Sequence, residues 1–589
     1  MNIQNNLDIP YSATDLSKPA AGWTSRDVLL PRTVFEGRTG ALTYPDGTVE
    51  TVDFTDAVRR GNFSKGGNLG MQFNYNFGKG WSVTNRARWQ NMTVGIGFDF
   101  ALSTTYGPNA TGAISQQRAL FGGGITGGGS TARDFINEFR LNKQLTLGSS
   151  KHNLTFGYYY STVNVKVASR GLIYLANTTA NSNVATATPL ANSLFRNGNY
   201  TETVNSAFVG DEMKFNNLSI TAGLRQDWIN MDLVEDRYAY QRFARRTPQH
   251  QGLSGSIGFN YKFDENTALY GNFVRAYRAP DYGAYTTVQY AYRTPTNPTQ
   301  LLYNPATAPA NAILTDDKGR TLYLNPYIDN NEIVNSIEMG FRKSFGDFNF
   351  DGGVFYNTIK DRLVSTFIGA IAVSVPGGNN KIVGTELSLS WYPTNSLKGL
   401  FARTSMTLQN ATYTKLVQQF TLLGDLNASG FPTTRQEISR NAAGVPTYIY
   451  SVDVAGNKAA NIPRAIWNTS VGYENKRFGI NLNNNFLGAR PADPFNTLDY
   501  PAYSLMDGNI YVNIPIAKES KANARLKLSG YNMLNNQSPG NIISAVTDNY
   551  LYIGKANNFQ SPTPQGNFSF VRGVPLLPRR TMLAFELTF

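Results

Sequence analysis

The sequence predicts an all-β protein, a transmembrane antiparallel β-barrel with short turns at one end and long loops at the other. Three observations support this fold class. The composition is rich in aromatic residues and glycine, apolar and polar side chains alternate in segments of about ten residues, and short and long connections alternate along the chain. No run of about 18 apolar residues occurs, which excludes ordinary transmembrane helices.

The composition separates this chain from typical soluble proteins. It holds 33 Tyr, 35 Phe and 54 Gly among 589 residues, and only 16% of its residues are charged, against about 25% in soluble domains. Outer-membrane barrels have this profile because aromatic girdles line both membrane interfaces. The net charge of +13 is scattered without a dense cationic cluster, so no nucleic-acid partner is expected. A basic lumen that attracts anionic solutes and contact with anionic lipid headgroups both fit this charge.

The last nine residues show the alternation most clearly. One face of this segment carries Leu583, Phe585, Leu587 and Phe589, and the other carries Met582, Ala584, Glu586 and Thr588. The same pattern marks residues 69–77, 348–357 and 478–486. Because polar groups are costly in hydrocarbon, we expect the polar set to face a watery lumen and the apolar set to face lipid.

The lengths of the connections support a barrel over a soluble β-sandwich, which also shows alternation but has no reason to make every second connection long. We count about 17 strands. Short turns occur near 78–80, 215–217 and 475–477, and long loops are expected at 101–130, 171–199, 281–330, 369–380 and 416–462. With the short turns in the periplasm, the first and last clear strands both run inward, which gives an odd number. We therefore expect a C-terminal portion of a longer protein, in which an extracellular loop region, 1–66, precedes the barrel strands, 67–589.

Several segments resemble, in the same order, motifs of the TonB-dependent outer-membrane receptors. The segment 273–280 (FVRAYRAP) resembles their GFRAP motif, and 336–342 (SIEMGFR) is similar to SYELGFK. In 224–227 (LRQD), Gln226 departs from the aromatic residue of GLRYD, and in 530–536 (GYNMLNN), Asn535 replaces the usual Asp of the VxNLFD motif. The remaining matches are 353–357 (GVFYN), 384–387 (GTEL), 461–464 (NIPR) and the terminal Phe589, which the barrel-assembly machinery reads in that family.

The resemblance implies a fold and a function. Family barrels have 22 strands around an N-terminal plug, so the count of about 17 strands implies that about five strands, the plug and its TonB box are absent here. The implied role is active uptake of a scarce solute across the outer membrane, driven by the TonB–ExbB–ExbD complex through the plug. Ferric siderophores are the commonest substrates, and glycan or cobalamin are alternatives. Such uptake needs no cofactor and no enzyme chemistry. A passive porin-like barrel and a secreted β-sandwich lectin are the competing classes.

Candidate site residues lie in the loops and on the polar faces. Tyr and Arg are enriched where proteins recognise partners, so we expect four loop residues to face the vestibule and contact an anionic or aromatic ligand: Tyr277, Arg278, Tyr282 and Tyr285. The alternative is that such aromatic residues form the outer girdle or cover neighbouring loops. Glu338 and Glu386 are expected on the lumen face, paired with cations such as Arg342 or Arg525. The resemblance implies that these four lumen residues contact the plug.

Catalytic and metal sites are not expected from the sequence. The chain has two histidines, His152 and His250, and no Cys. His152 begins a strand after a short turn and His250 follows a loop, so no shared metal site is expected. No Ser-His-Asp arrangement is expected either, because 252–256 (GLSGS) lacks the GxSxG spacing.

Overall fold

The structure is a computed structural model. It describes backbone and side chains for residues 64–94, 131–166, 198–232, 249–280, 331–362, 378–417, 452–496, 498–516, 524–538 and 576–587, and for positions 51, 437, 444 and 446. In the other strands named below, only the backbone is described. Within the described residues no helix combines the length and apolar character needed to cross a bilayer.

Seventeen long strands form one antiparallel sheet, and we number them in chain order. They are β1 (Phe63–Gly78), β2 (Trp81–Gly95), β3 (Ser130–Leu147), β4 (Ser150–Thr179), β5 (Thr186–Phe215), β6 (Leu218–Arg237), β7 (His250–Lys262), β8 (Thr267–Arg278), β9 (Glu332–Phe345), β10 (Phe348–Ile368), β11 (Ile371–Trp391), β12 (Leu400–Lys415), β13 (Ala465–Glu474), β14 (Phe478–Leu487), β15 (Tyr503–Pro515), β16 (Asn523–Tyr531) and β17 (Arg580–Thr588).

Shorter strands lie in the connections and before β1. They are Ile9–Ser12, Asp15–Pro19, Thr39–Thr43, Val49–Asp53, Gly97–Tyr106, Ala113–Gly123, Gln241–Arg246, Ile313–Thr315, Thr321–Tyr323, Val417–Leu423, Thr434–Arg440, Pro446–Asp453, Arg490–Pro491, Asp499–Tyr500, Pro539–Ile542, Pro562–Thr563, Gly566–Asn567 and Phe570–Pro575.

Each long strand pairs with the next one in the chain, and the order of the sheet brings β17 back beside β1. Because neighbours are antiparallel and the number of strands is odd, β1 and β17 run in the same direction. The expected count of about 17 strands and the antiparallel barrel architecture are confirmed.

Two of the expected long loops are instead long hairpins. Strands β4 and β5 each have 30 residues and are joined by residues 180–185, within the expected loop 171–199. Similarly, β10 and β11 are separated only by residues 369–370. A transmembrane strand needs about 9–11 residues, so these hairpins extend beyond a bilayer. Where water contacts both faces of a hairpin, alternation of apolar and polar side chains is not required, so the sequence does not reveal these parts of the strands.

The two faces of the sheet differ as the alternation predicts. On one face the large apolar side chains are exposed, including Leu69, Phe73, Ile337 and Leu583, and this is the face that hydrocarbon would cover. Near the short turns this outward face carries aromatic rings in contact, among them the edge-to-face pairs Tyr75–Phe77 and Tyr261–Phe263, the stacked pair Phe345–Phe348 and the tilted pair Tyr473–Phe478. Such a girdle is typical of the interface between membrane and water.

Polar side chains on the outward face bond to one another. Asn85 and Asn137 exchange two side-chain hydrogen bonds of 3.3 and 3.2 Å between β2 and β3. The indole N–H of Trp467 donates to Thr404 at 2.6 Å. Because lipid supplies no hydrogen-bond partner, these cross-strand pairs satisfy groups that would otherwise be costly on this face.

Candidate functional site: the lumen wall and its outer rim

The inward face of the barrel is polar and is held by interactions that span three strands. In each of three places a tyrosine ring lies on a glycine of the adjacent strand, and its hydroxyl donates to a carboxylate one strand further on. We call this arrangement a tyrosine bridge. The three bridges are Tyr270–Gly340–Asp351, Tyr511–Gly479–Glu474 and Tyr277–Gly252–Asp227.

The first bridge joins β8, β9 and β10 near the short turns. Tyr270 is directly opposite Gly340 in the ladder, and a Cβ atom added to Gly340 would overlap the tyrosine ring. The Tyr270 hydroxyl donates to Asp351 Oδ1 at 2.8 Å. Arg342 Nε donates to the other oxygen of Asp351 at 2.6 Å, and its guanidinium lies 5.4 Å from the ring centre of Tyr270. Glycine is needed here because the ring occupies the space of a side chain.

The second bridge repeats the arrangement on β15, β14 and β13. Tyr511 is opposite Gly479, which is opposite Glu474, so the three residues form one row across the wall. The Tyr511 hydroxyl donates to Glu474 Oε1 at 2.6 Å. The guanidinium of Arg525 lies 4.5 Å from the ring centre of Tyr511, and its Nε donates to Asn513 Oδ1 at 2.8 Å.

The third bridge lies at the opposite end of β8, where the chain enters the segment 281–330. Tyr277 covers Gly252 and donates to Asp227 Oδ2 at 2.9 Å. Arg225 Nε donates to the other carboxylate oxygen at 2.7 Å, and its Nη2 donates to Ser206 at 2.8 Å. The tyrosine is half-buried, and its hydroxyl is used within the wall.

Of the four predicted ligand-binding residues, the structure describes two, Tyr277 and Arg278. Tyr277 is fixed by its bridge, so its hydroxyl serves the wall of the barrel. Arg278 is the exposed last residue of β8. Tyr282 and Tyr285 lie outside the described residues.

The four predicted lumen residues form two groups. Glu338 and Glu386 line one cavity of about 260 Å³ together with Tyr270 and Asp351. Asn272 Nδ2 donates to Glu338 at 3.3 Å, while Arg342 pairs with Asp351. The expected pairing of these glutamates with Arg342 or Arg525 is therefore not the arrangement found. The register explains this result, because Arg342 is directly opposite Asp351, whereas Glu338 is opposite Phe355.

Arg525 lies on β16, away from the strands β8–β12 that line that cavity. Its nearest carboxylate is Glu586 on β17, at 3.9 Å. Both side chains are about half exposed, so this ion pair contributes little to stability.

A packed cluster at the outer rim was not predicted from the sequence. Residues 452–464 and 488–500 lie together above β12 and bury an apolar core formed by Tyr413, Leu416, Val454, Ala459, Phe495, Leu498 and Tyr500. Asp493 is fully buried and accepts the N–H groups of Phe495 and Leu498 at 2.8 and 3.3 Å. The first of these segments overlaps the loop expected at 416–462, where the apolar residues follow no regular period.

Asn532, in the segment that resembles VxNLFD, holds two neighbouring chain segments together through its side chain. Its backbone has a φ of 44°, a conformation that Asn tolerates better than most residues. Its side chain donates to Asn536 O at 2.9 Å and Leu577 O at 2.8 Å, and it accepts from the Asn536 N–H at 2.8 Å. This residue thus ties the end of β16 to the residues that precede β17.

The described residues contain no group of three or more His, Cys, Asp or Glu side chains placed to hold a metal ion. What the described part of the site offers is a wall with fixed charges and hydrogen-bonding groups, and an exposed arginine at the rim.

A family model described as TonB dependent receptor-like, beta-barrel matches residues 4–533. The chain belongs to this family of TonB-dependent receptors. Members of the family are outer-membrane β-barrels that act as transport receptors, and the resemblance of the sequence motifs to this family is confirmed. No curated protein sequence matches the chain.

Solved structures share the fold at low sequence identity. The siderophore receptor PiuA from Acinetobacter baumannii superposes with a TM-score of 0.55 at 13% identity, covering 89% of this chain and 64% of its own. The ferric preacinetobactin receptor BauA from the same species gives 0.54 at 13%, covering 96% and 68%. The ferric citrate transporter FecA gives 0.53 at 13%, covering 90% and 62%. The chain therefore spans about two-thirds of the length of these receptors.

Proposed function

We propose that this chain forms the barrel of an outer-membrane receptor for TonB-dependent active uptake of a scarce solute, most specifically a ferric siderophore. The observation that carries the proposal is the family match over residues 4–533. Three structural neighbours are a ferric citrate transporter, a siderophore receptor and a ferric preacinetobactin receptor. The net charge of +13 is compatible with an anionic chelate. Uptake of this kind requires no covalent chemistry on the solute.

The polar lumen wall offers charged side chains that a plug inside the barrel could contact. The polar face holds carboxylates around one cavity, Glu338 and Glu386, and cations that the bridges hold in place, Arg342 and Arg525. We propose that these four residues contact the N-terminal plug of the intact receptor. The partner that moves the plug would be the TonB–ExbB–ExbD complex. The C-terminal strand ending at Phe589 would contact the barrel-assembly machinery, and the outward apolar face would contact outer-membrane lipid.

We propose that the ligand contacts come from the rim, with Arg278, Tyr282 and Tyr285 facing the vestibule. Tyr277 has a different role in this proposal. Its ring over Gly252 and its bond to Asp227 hold the end of β8 in place. Tyr277 thereby positions Arg278 at the entrance to the segment 281–330.

Growth of a receptor-deleted host tests the function. The gene that encodes this chain, with any flanking coding sequence, is expressed in a host that makes no siderophore and receives iron only as ferric citrate, a ferric hydroxamate or a ferric catecholate. We expect growth on at least one chelate, and only when TonB is present. The same host is tested with cobalamin and with a maltooligosaccharide as the required nutrient.

The outcomes separate the alternatives. Growth on a chelate without TonB would favour a passive porin-like barrel, and TonB-dependent growth on cobalamin or glycan alone would replace the siderophore by that solute. Glu338→Gln combined with Glu386→Gln is expected to reduce uptake while the barrel still assembles. Glu212→Gln, which changes a lumen carboxylate on β5 that pairs with Lys214 and lies outside that cavity, is the matched control.

A further inference from the structure

Three residues at the short-turn end form a hydrogen-bonded chain that the uptake function does not use. Ser150 and His152 are on β4, and Asp211 is on the neighbouring β5. Ser150 Oγ lies 3.0 Å from His152 Nε2, and His152 Nδ1 lies 2.7 Å from Asp211 Oδ2. The sequence does not predict this cluster, because the serine and the aspartate are 61 positions apart and only the β4–β5 register brings them together.

The two hydrogen bonds of His152 use different ring nitrogens, and this determines what the cluster can do. The carboxylate binds Nδ1, which fixes the tautomer and leaves Nε2 facing the hydroxyl. This is the arrangement in which a serine, histidine and aspartate act together in acyl transfer, and it is recognised by geometry rather than by sequence position. The serine hydroxyl has a second acceptor, Leu147 O at 2.8 Å, and rotation about its Cβ–Oγ bond moves the proton between the two.

The cluster lies on the outward face of the barrel. Side chains two and four residues along each strand point the same way, and those neighbours are the exposed residues Phe156 on β4 and Val209 on β5. Leu147, beside Ser150 across the turn, is 60% exposed. Ser150 is buried, at 7% exposed, and the side chains of His152 and Asp211 are 16% and 19% exposed, so the serine lies beneath the surface and the other two residues reach it in part. A substrate that reaches it must lie against an apolar surface next to polar turns.

We propose that Ser150, His152 and Asp211 form a hydrolytic site for a carboxylic ester carried by a lipid. Ser150 Oγ attacks the carbonyl carbon, and its proton passes to His152 Nε2. The alcohol portion leaves with that proton, which gives an acyl-serine. Water, activated by His152, then releases the carboxylic acid and restores the serine. Ser150 and His152 are the catalytic residues, and Asp211 is a positioning residue that holds the imidazole.

Covalent labelling of the full chain in detergent tests the proposal. A biotinylated fluorophosphonate is expected to modify Ser150, located by peptide mass spectrometry, and the purified barrel is expected to hydrolyse a fluorescent diacyl phospholipid in mixed micelles. Ser150→Ala should abolish the adduct, and His152→Gln should slow labelling at least about 100-fold. Asp211→Asn should slow it by a similar factor and change its dependence on pH, which a purely structural aspartate would not do.

Controls keep each outcome decisive. Ser219→Ala removes a serine near the short turns that points into the lumen, and labelling should be unchanged. Heat-modifiable migration shows that each variant is folded, and the wild-type adduct is informative even where a variant fails to fold. Hydrolysis of p-nitrophenyl butyrate but not of phospholipid would overturn the lipid assignment. Wild-type protein that forms no adduct at Ser150, under conditions that label a known serine esterase, would overturn the site.

Discussion

The ring of Tyr270 lies over Gly340, its direct cross-strand partner, so the tyrosine fills the space that a side chain at position 340 would need. The contact also directs the tyrosine hydroxyl towards Asp351 on the next strand, at 2.8 Å. The same arrangement occurs at Tyr511 and Tyr277. A glycine in these strands is therefore part of a lateral connection across three strands, and its replacement tests that connection directly.

We expect Gly340→Ala to destabilise the barrel by about 1–3 kcal/mol, the usual cost of forcing an extra group into a packed site. The new methyl group would displace the Tyr270 ring and break its bond to Asp351. The free energy of unfolding in urea, measured on barrels folded in lipid vesicles, checks this. Gly70→Ala is the matched control, since a Cβ atom there lies 3.9 Å from its nearest neighbour. Equal effects of the two substitutions would contradict the bridge.

The hydroxyl of Tyr511 allows a second test that keeps the ring. Tyr511→Phe still covers Gly479 but removes the 2.6 Å bond to Glu474. Hydrogen bonds to charged groups contribute about 1.5–3 kcal/mol when shielded, and partial exposure here reduces the expected loss to roughly 1 kcal/mol. A double-mutant cycle with Glu474→Gln measures the coupling. If the two losses simply add, the hydroxyl and the carboxylate do not cooperate.

Asn532 supports a third prediction, about a turn. Asn532→Ala removes three side-chain hydrogen bonds and places a less tolerant residue at a φ of 44°. We expect a loss of about 2–4 kcal/mol, at about 1 kcal/mol per bond plus backbone strain. Asn532→Gly removes the same bonds without the strain and should cost less. At Asn216, whose φ is 39° in a short turn, substitution by Gly is expected to be nearly neutral.

For the outward pair Asn85–Asn137, we expect the losses of unfolding free energy caused by single substitutions to be non-additive in lipid. Asn85→Leu leaves Asn137 without its side-chain partner on the hydrocarbon face, which we expect to cost roughly 0.5–2 kcal/mol. Replacing both residues by Leu should recover most of that loss, because no polar group then remains unsatisfied. Unfolding measurements in vesicles of the two single variants and the double variant test this. A double variant as unstable as the sum of the singles would argue that this face meets water.

Arg278 and Tyr277 are expected to respond differently in ligand binding. Under the proposed function, Arg278→Ala should weaken binding of an anionic ferric chelate at least tenfold, since an arginine at a binding surface commonly contributes more than 1 kcal/mol. Tyr277→Phe loses the bond to Asp227 but keeps the ring over Gly252, which still holds the end of β8, so it should change the Kd less than threefold. Titration of the detergent-purified receptor with the chelate that supports growth compares the two. A larger loss for Tyr277→Phe would return that hydroxyl to the ligand.

The sequence alone was sufficient for the architecture, because a membrane barrel imposes a period of two on every strand that crosses lipid. Leu583 and Glu586 could be assigned to opposite faces without coordinates, and the short turns were placed within one or two residues. The turn sequence Tyr44-Pro45-Asp46-Gly47 likewise predicts a hairpin, and the strands on either side of it, Thr39–Thr43 and Val49–Asp53, are paired.

Only the tertiary structure decided which side chains meet across strands. Alternation assigns Tyr270, Arg342 and Asp351 to the lumen face, but the pairing partner of each depends on register, which no local pattern contains. For the same reason Ser150, His152 and Asp211 could not be grouped, and Glu338 was assigned the wrong partner. The period of two follows from the boundary between lipid and water at each strand, whereas contacts between strands depend on how far each strand slides past the next.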